Sequence, residues 1–197
     1  MNTVIAEDSP EGQNFTDVFS KLEDQKIFFL SEEITDDLAS YICANLMLID
    51  SDPNKKNDEP ITLFINSAGG DIRNVLMIYD VMQQIETPIM TICSGEVEDE
   101  AVLLLAAGEP GLRFATENST ISIDKIRHYG SQYSDLYSAT VTQKRLKVSN
   151  DLFYKAMSDN TGYDLASIKS LLSEKKFLTP SLAKKHGIID QIMKGQK

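Results

Sequence analysis

Residues 61–71 read Ile61-Thr62-Leu63-Phe64-Ile65-Asn66-Ser67-Ala68-Gly69-Gly70-Asp71. The turn-rich loop Asp52–Pro60 precedes a β-branched and aromatic run, which predicts a strand over Ile61–Asn66. Ser67–Gly70 is then a turn, and Asp71 opens a helix. Val75, Ile78, Tyr79, Met82 and Ile85 recur on one face of that helix. Strand, glycine turn and amphipathic helix in immediate succession form one unit of an α/β fold.

The same alternation continues on both sides. Upstream, Lys26–Leu30 predicts a buried strand. Asp36–Asp50 predicts a helix with Thr35 as its N-cap. Residues 1–14 carry Pro, Gly, Asn and charges without periodicity, which predicts a mobile arm before a single domain over 15–197. Downstream come a strand at Pro88–Cys93, a very apolar helix at Glu98–Ala107 and a strand pair, Leu112–Ala115 with Thr120–Ile123. A long helix over about 134–159 follows, then helices at Asp164–Leu172 and Pro180–His186 and a last strand at Ile188–Ile192. The class is α/β with a mostly parallel sheet.

Composition narrows the function. Nineteen basic residues against 30 acidic give a net charge of −11. That disfavours nucleic acid and anionic membrane surfaces as partners. No apolar run reaches the length of a membrane span and no signal-peptide core opens the chain, so a cytoplasmic location is expected. Cys43 and Cys93 lie in apolar stretches without metal-ligand spacing, as buried free thiols do.

Four segments, in order, resemble the ClpP family of Clp protease subunits. They are Lys26–Leu30, Phe64–Gly70 with Ile78-Tyr79-Asp80, Thr91–Gly95 with Leu103–Gly108, and Phe177-Leu178-Thr179 with His186–Asp190. The resemblance covers roughly residues 12–193 with almost no gaps. It implies the ClpP/crotonase spiral of ββα units, in which the long helix is a handle. It also implies heptameric rings stacked around a chamber, partnership with active ClpP-type subunits and an AAA+ unfoldase, protein substrates, and no cofactor.

The chemistry that the resemblance implies is not intact. A serine nucleophile needs an imidazole to take its proton and N–H donors for the oxyanion. The family's serine position falls at Asp99, its histidine at Asp124 and its aspartate at Leu171. The oxyanion donors correspond to the turn at Gly69 and Gly70 and to Glu100. The same glycines also suit a tight strand-to-helix turn for backbone reasons alone. His128 and His186, the chain's two histidines, fall outside the family's histidine position. Ser94 and Ser122 are nearby serines in ordinary strand positions.

Glu96, Glu98, Asp99 and Glu100 crowd one turn, and Asp124 should approach them. Crowded carboxylates raise one another's pKa or attract a cation, so Asp99, Asp124 and Glu96 form a candidate cation set. Crotonase-fold enzymes use carboxylates as acid/base groups, so Asp99 with Asp124 is the alternative enzymatic reading. The remaining alternatives are a decayed site whose acids face solvent, and a homo-oligomeric scaffold. Thr62 and Phe64 fall where the family docks its unfoldase; Thr62 replaces an aromatic and Phe64 keeps one. Lys125-Ile126 and Ser170-Leu171 fall where the family aligns its rings. The expected whole is a non-catalytic ClpP-like subunit that modulates an active partner.

Overall fold

The computed structural model describes residues 4–9, 12–53, 59–124, 126 and 136–195, with the side chains of 6–9, 12–14 and 136 left aside. Its centre is a seven-stranded sheet. β3 (Ile27–Leu30), β4 (Ile61–Ser67), β5 (Ile89–Glu98), β6 (Arg113–Thr116) and β9 (Gln191–Met193) are hydrogen-bonded in that order, all parallel. β7 (Thr120–Ile123) runs parallel to β5 and pairs antiparallel with β8 (Lys176–Leu178). Helices α2 (Asp36–Ser51), α3 (Ile72–Gln84) and α4 (Ala101–Ala106) follow β3, β4 and β5. The expected α/β class with a mostly parallel sheet is the one observed.

Local chemistry sets the element ends. Leu38 N–H donates to the Thr35 hydroxyl at the start of α2, and Arg73 N–H donates to the Asp71 carboxylate at the start of α3. All six side chains of α4 are fully buried. A helix apolar all round belongs in the centre of a core, and α4 packs there against β5, α3 and α5.

Several boundaries depart from the sequence reading. β5 does not stop at Cys93 but runs on to Glu98, so α4 starts at Ala101 rather than Glu98. The cause is a bulge: Gly95 sits at φ +103° and the β4–β5 register shifts between Ile65 and Ser67. The Asn66 side chain accepts the Glu96 N–H at 2.9 Å across this gap. The predicted pairing of the next two strands is replaced by another. β6 pairs with Thr91–Cys93 and β7 with Glu96–Glu98, so the long β5 serves each in turn.

Towards the N-terminus, β1 (Val4–Ser9) pairs antiparallel with β2 (Gly12–Asp17). Main-chain pairing needs no side-chain period, so aperiodic composition conceals it. A short helix, α1 (Val18–Glu23), follows with Asp17 as its cap. The long helix expected over about 134–159 is α5, Leu136–Thr161. α6 (Leu165–Leu171) and α7 (Pro180–Lys185) match expectation. The last strand starts at Gln191 because Ile188 and Ile189 are buried in the core ahead of it.

One charged pair ties these layers together. Arg113, 8 % exposed, donates through Nε and Nη2 to both oxygens of Asp190, at 2.8 and 2.6 Å. Its Nη1 donates to the carbonyls of Ala106, Asn160 and Gly187. Asp190 also accepts the main-chain N–H groups of Gly111 and Arg113. The guanidinium hydrogen bond, ahead of these amides, holds the Asp190 carboxyl below the usual carboxylate value.

Asp190→Ala, which strands the Arg113 charge, should lower unfolding stability by about 3 kcal/mol in urea titration at pH 7. Because the Asp190 pKa is depressed on folding, its contribution is present above the unfolded value. It is lost as pH falls through the lower folded value. Asp190→Asn should therefore flatten the acid limb of the stability–pH curve; an unchanged limb would remove Asp190 from acid unfolding.

Candidate functional site

The carboxyl ends of parallel strands are where α/β folds receive ligands. Here the ends of β4, β5 and β7 bring three segments together. The first is Ser67–Gly70, where the chain turns into α3. Gly69 adopts φ +94°, a region that side chains disfavour. Gly70 lies flat against another strand's exit: a Cβ there would stand 2.6 Å from the Ile34 carbonyl oxygen and 2.8 Å from the Ile34 nitrogen. Ile34 N–H donates to the Gly69 carbonyl at 2.9 Å, and Gly69 N–H to the Ser67 hydroxyl at 3.2 Å. The Ser67 hydroxyl donates to the Glu32 carbonyl at 2.6 Å. Both glycines thus have backbone reasons of their own.

The second segment is Asp99-Glu100, between β5 and α4. Asp99 is left-handed, at φ +48°, a conformation that Asp tolerates better than most residues. Its N–H donates to the Ser122 carbonyl on β7 at 2.9 Å. The third is Asp124, half-buried just past β7. Since Glu98 pairs with Ser122, Asp99 and Asp124 leave adjacent parallel strands at the same end. Their predicted proximity at the level of the backbone follows from that register.

The crowded acids divide. Glu96 and Glu98 line a small cleft of ≈ 190 Å³ with Asn66, Ser67 and Ala68. Partial burial raises the Glu96 pKa first, with the Glu98 charge and a shared carboxyl hydrogen bond adding to it. Glu100 turns inward and is 3 % exposed. Its Oε2 lies 2.8 Å, and its main-chain N 3.3 Å, from the point a Cβ on Gly69 would occupy. Gly69, Gly70 and the Glu100 amide therefore do come together, with the Glu100 carboxylate among them. Sequence reasoning used only the Glu100 amide. The available signal was its place immediately before six wholly apolar residues.

Other candidate residues lie elsewhere. Leu171, 8 % exposed, ends α6 and belongs to the apolar core. With Tyr163, Asp164, Ser170, Lys176 and His186 it lines an open cleft of ≈ 420 Å³. His186 packs against the Tyr163 ring at 5.7 Å; its pKa is lowered by burial, then by Lys185 and Lys176. Asp99 and Asp124 do not line this cleft. Ser94 is exposed on β5, whereas Ser122 is fully buried. His128 and Lys125 lie outside the described residues; Ile126 is half-buried and Ser170 exposed. Among the described residues no group of three His, Cys, Asp or Glu side chains converges as a metal site would require, the Asp99, Asp124 and Glu96 set included. No helix among them is long and apolar enough to cross a membrane.

A largely apolar groove opens beside α1 and the edge strand β3. Val18, Phe19, Leu22, Ile27, Phe29 and Tyr41 line a volume of ≈ 550 Å³. Phe29 stacks on Phe64 at 5.1 Å and meets Phe19 edge-on at 5.9 Å. Thr62, opposite Ile27 in the β3–β4 register, is half-buried and brings no ring to this stack.

In comparison with known families, the family model described as Clp protease matches residues 10–196.

The turn geometry predicts a cost that chemistry at the site does not share. Gly70→Ala should lose about 2 kcal/mol in denaturant unfolding, because its Cβ meets main-chain atoms that cannot rotate away. Gly195→Ala, with nothing within 4 Å of the added carbon, is the control and should cost nothing measurable. Equal effects in the two variants would remove the close approach at Ile34 as the reason for glycine.

Proposed function

The chain belongs to the Clp protease family, and on that premise we propose that it is a non-catalytic ring subunit acting in the cytoplasm. It assembles in heptameric rings with an active ClpP-type subunit and modulates ATP-dependent proteolysis. Membership implies, in general, oligomeric assembly with ClpP-type subunits and AAA+ partners; the inactivity and the mixed ring are the proposal.

The observation that carries it is the residue at the nucleophile's turn. Asp99 occupies the junction between β5 and the buried helix α4, and its N–H is held by Ser122. A carboxylate there cannot replace an activated hydroxyl, and the residue at the aligned histidine position is the carboxylate of Asp124. Leu171, at the aligned aspartate position, is apolar and packed in the core. It supplies no charge to orient an imidazole.

Assembly has independent physical support. From Tyr137 to Val148 no residue of α5 is buried within the chain. Tyr137, Val141, Val148 and Leu152 project on that helix at 47–79 % exposure. The rest of α5 is anchored in the core through Phe153, Ala156 and Met157, but a helical stretch as short as Tyr137–Val148 that buries no side chain is marginal alone in water, and its apolar positions call for a partner surface. The Phe19–Phe29–Phe64 stack supports an unfoldase contact at the adjoining groove, with Thr62 weakening it relative to an aromatic.

Two outcomes test the proposal. The complex isolated from its own cells through a tag on this chain should have a large native mass and contain a second subunit with an intact serine–histidine–aspartate triad. A homogeneous assembly of the 22.0 kDa chain, or a small oligomer, would sink the mixed ring and direct attention to a scaffold role or to Asp99 and Asp124 as an acid/base pair. Separately, the double variant Asp99→Ser with Asp124→His should show little or no peptide hydrolysis, because Leu171 and the neighbouring acids remain. Brisk turnover by that variant would refute the account of inactivity.

A further inference from the structure

In a chain of net charge −11, residues 163–186 run the other way: Lys169, Lys175, Lys176, Lys184 and Lys185 stand against Asp164 and Glu174. The fold gathers part of this basic stretch around one cleft. β8 holds Lys176 opposite Ile123 of β7. α6 supplies Ser170 and Leu171, and His186 ends α7. With Tyr163 they line the open cleft of ≈ 420 Å³, a volume within the range of about 300–1,000 Å³ that small-molecule sites occupy. The Tyr163 hydroxyl donates to the Lys185 carbonyl at 3.4 Å and so joins two of its walls.

The charges around the cleft do not balance. Lys169 meets Asp151 and the Tyr154 ring. Among the described residues, by contrast, no carboxylate forms an ion pair with Lys176 or Lys185. The Lys176 ammonium reaches the Ser170 carbonyl at 3.4 Å, long for a charged donor. Asp164, the one acid lining the cleft, accepts the Ser167 N–H at 2.7 Å and caps α6. His186 Nδ1 is enclosed without a hydrogen-bond partner. A lone pair rather than a proton suits it, which leaves Nε2–H as the donor of the ring. Burial, then Lys185 and Lys176, hold the His186 pKa below the ordinary histidine value, so positive groups act on the imidazole from both α7 and β8.

We infer that this cleft binds the phosphate group of a small organic phosphate, with Lys176 and His186 Nε2–H as donors. The Ser170 hydroxyl adds a third donor, and Leu171 offers an apolar floor for the organic part. Lysine holds phosphate as a point charge and needs no planar fork. A compact dianion gains from both lysines at once. Apolar Leu171 keeps a further negative charge out of the cleft. The inference draws nothing from the reading of the chain as an inactive ring subunit.

The test is equilibrium dialysis of the full-length chain, in whatever assembly it forms, against radiolabelled inorganic phosphate at pH 7, with ionic strength held constant by sodium chloride. Binding should saturate at one phosphate per chain. Lys176→Met keeps the stem, drops the charge and should weaken binding about tenfold. Lys176→Arg should hold it within about threefold of the unsubstituted chain. Lys147→Met removes the same charge from an exposed position on α5 and should change nothing. Glycerol phosphate should compete with the label at least about tenfold better than succinate, whose two charges sit on separate carboxylates.

Uptake that does not saturate, or that falls equally in Lys176→Met and Lys147→Met, would reduce the effect to net charge and overturn the site. Succinate competing as well as glycerol phosphate would overturn the assignment to phosphate. Should Lys176→Met fail to fold, Ser170→Glu becomes the deciding variant, since Ser170 is exposed and a carboxylate there would repel the anion. Loss of binding in Ser170→Glu supports the cleft; full binding in it overturns the inference.

Discussion

Arg113 is charged, nearly inaccessible to water, and joined to α4, α5 and the segment that follows α7. Removing a guanidinium and a carboxylate from water costs several kcal/mol per ion, and their attraction alone rarely offsets it. Here the offset comes from completeness. Both Asp190 oxygens receive guanidinium donors, two main-chain amides add to them, and the remaining Arg113 nitrogen meets carbonyls that would otherwise be left over at element ends. Ala106 is the end of α4, Asn160 lies in the last turn of α5, and Gly187 follows α7. One side chain therefore caps helices that approach the core from different directions and ties them to the β6–β9 edge.

The site depends on that clamp at one remove. α4 is too short and too apolar to be stable by itself, and its place is set by what surrounds it. Its C-terminal end is held at Ala106 by Arg113. Its N-terminal end emerges where Asp99 is bound to β7 through Ser122 and where Glu100 meets Gly69. The positions of the nucleophile's turn and of the glycine turn are consequences of core packing, not of catalytic side chains. On the proposed reading, this is how Asp99, Asp124 and Leu171 can stand at the aligned positions while the backbone around them stays intact. The forces that build the frame make no use of the residues that perform the reaction.

Much of the frame was legible in the sequence because its signals are local. Thr35 and Asp71 announced helix starts, the apolar period of α3 announced its buried face, and Ser67–Gly70 announced the turn. What was not legible depends on partners distant in sequence. The run from Ser94 to Glu98 is polar at three places and resembles a helix start, yet a bulge at Gly95, secured by Asn66, keeps it in the sheet. Thr116–Thr120 resembles a hairpin turn, but β5 is long enough to accept β6 and β7 on successive stretches, and parallel pairing to it prevails. At the site, the aligned positions of Asp99 and Asp124 could be read from spacing. The inward course of Glu100 could not, because four acids in five residues suggest a solvated cluster, and only the space above Gly69 decides which of them turns in.

The surface that the chain leaves uncovered carries the same logic beyond the monomer. A core built on buried aliphatic residues is complete around α4, so the exposed apolar groups on α5 and around Phe19 and Phe29 are not a shortage of core. They lie on separate elements, the long helix and the first sheet edge. Apolar groups exposed in this way are unspent hydrophobic surface of the kind that contacts between chains cover. On the proposed reading, function is decided by which chains those faces accept, and the chemistry of the assembly falls to the subunits beside it.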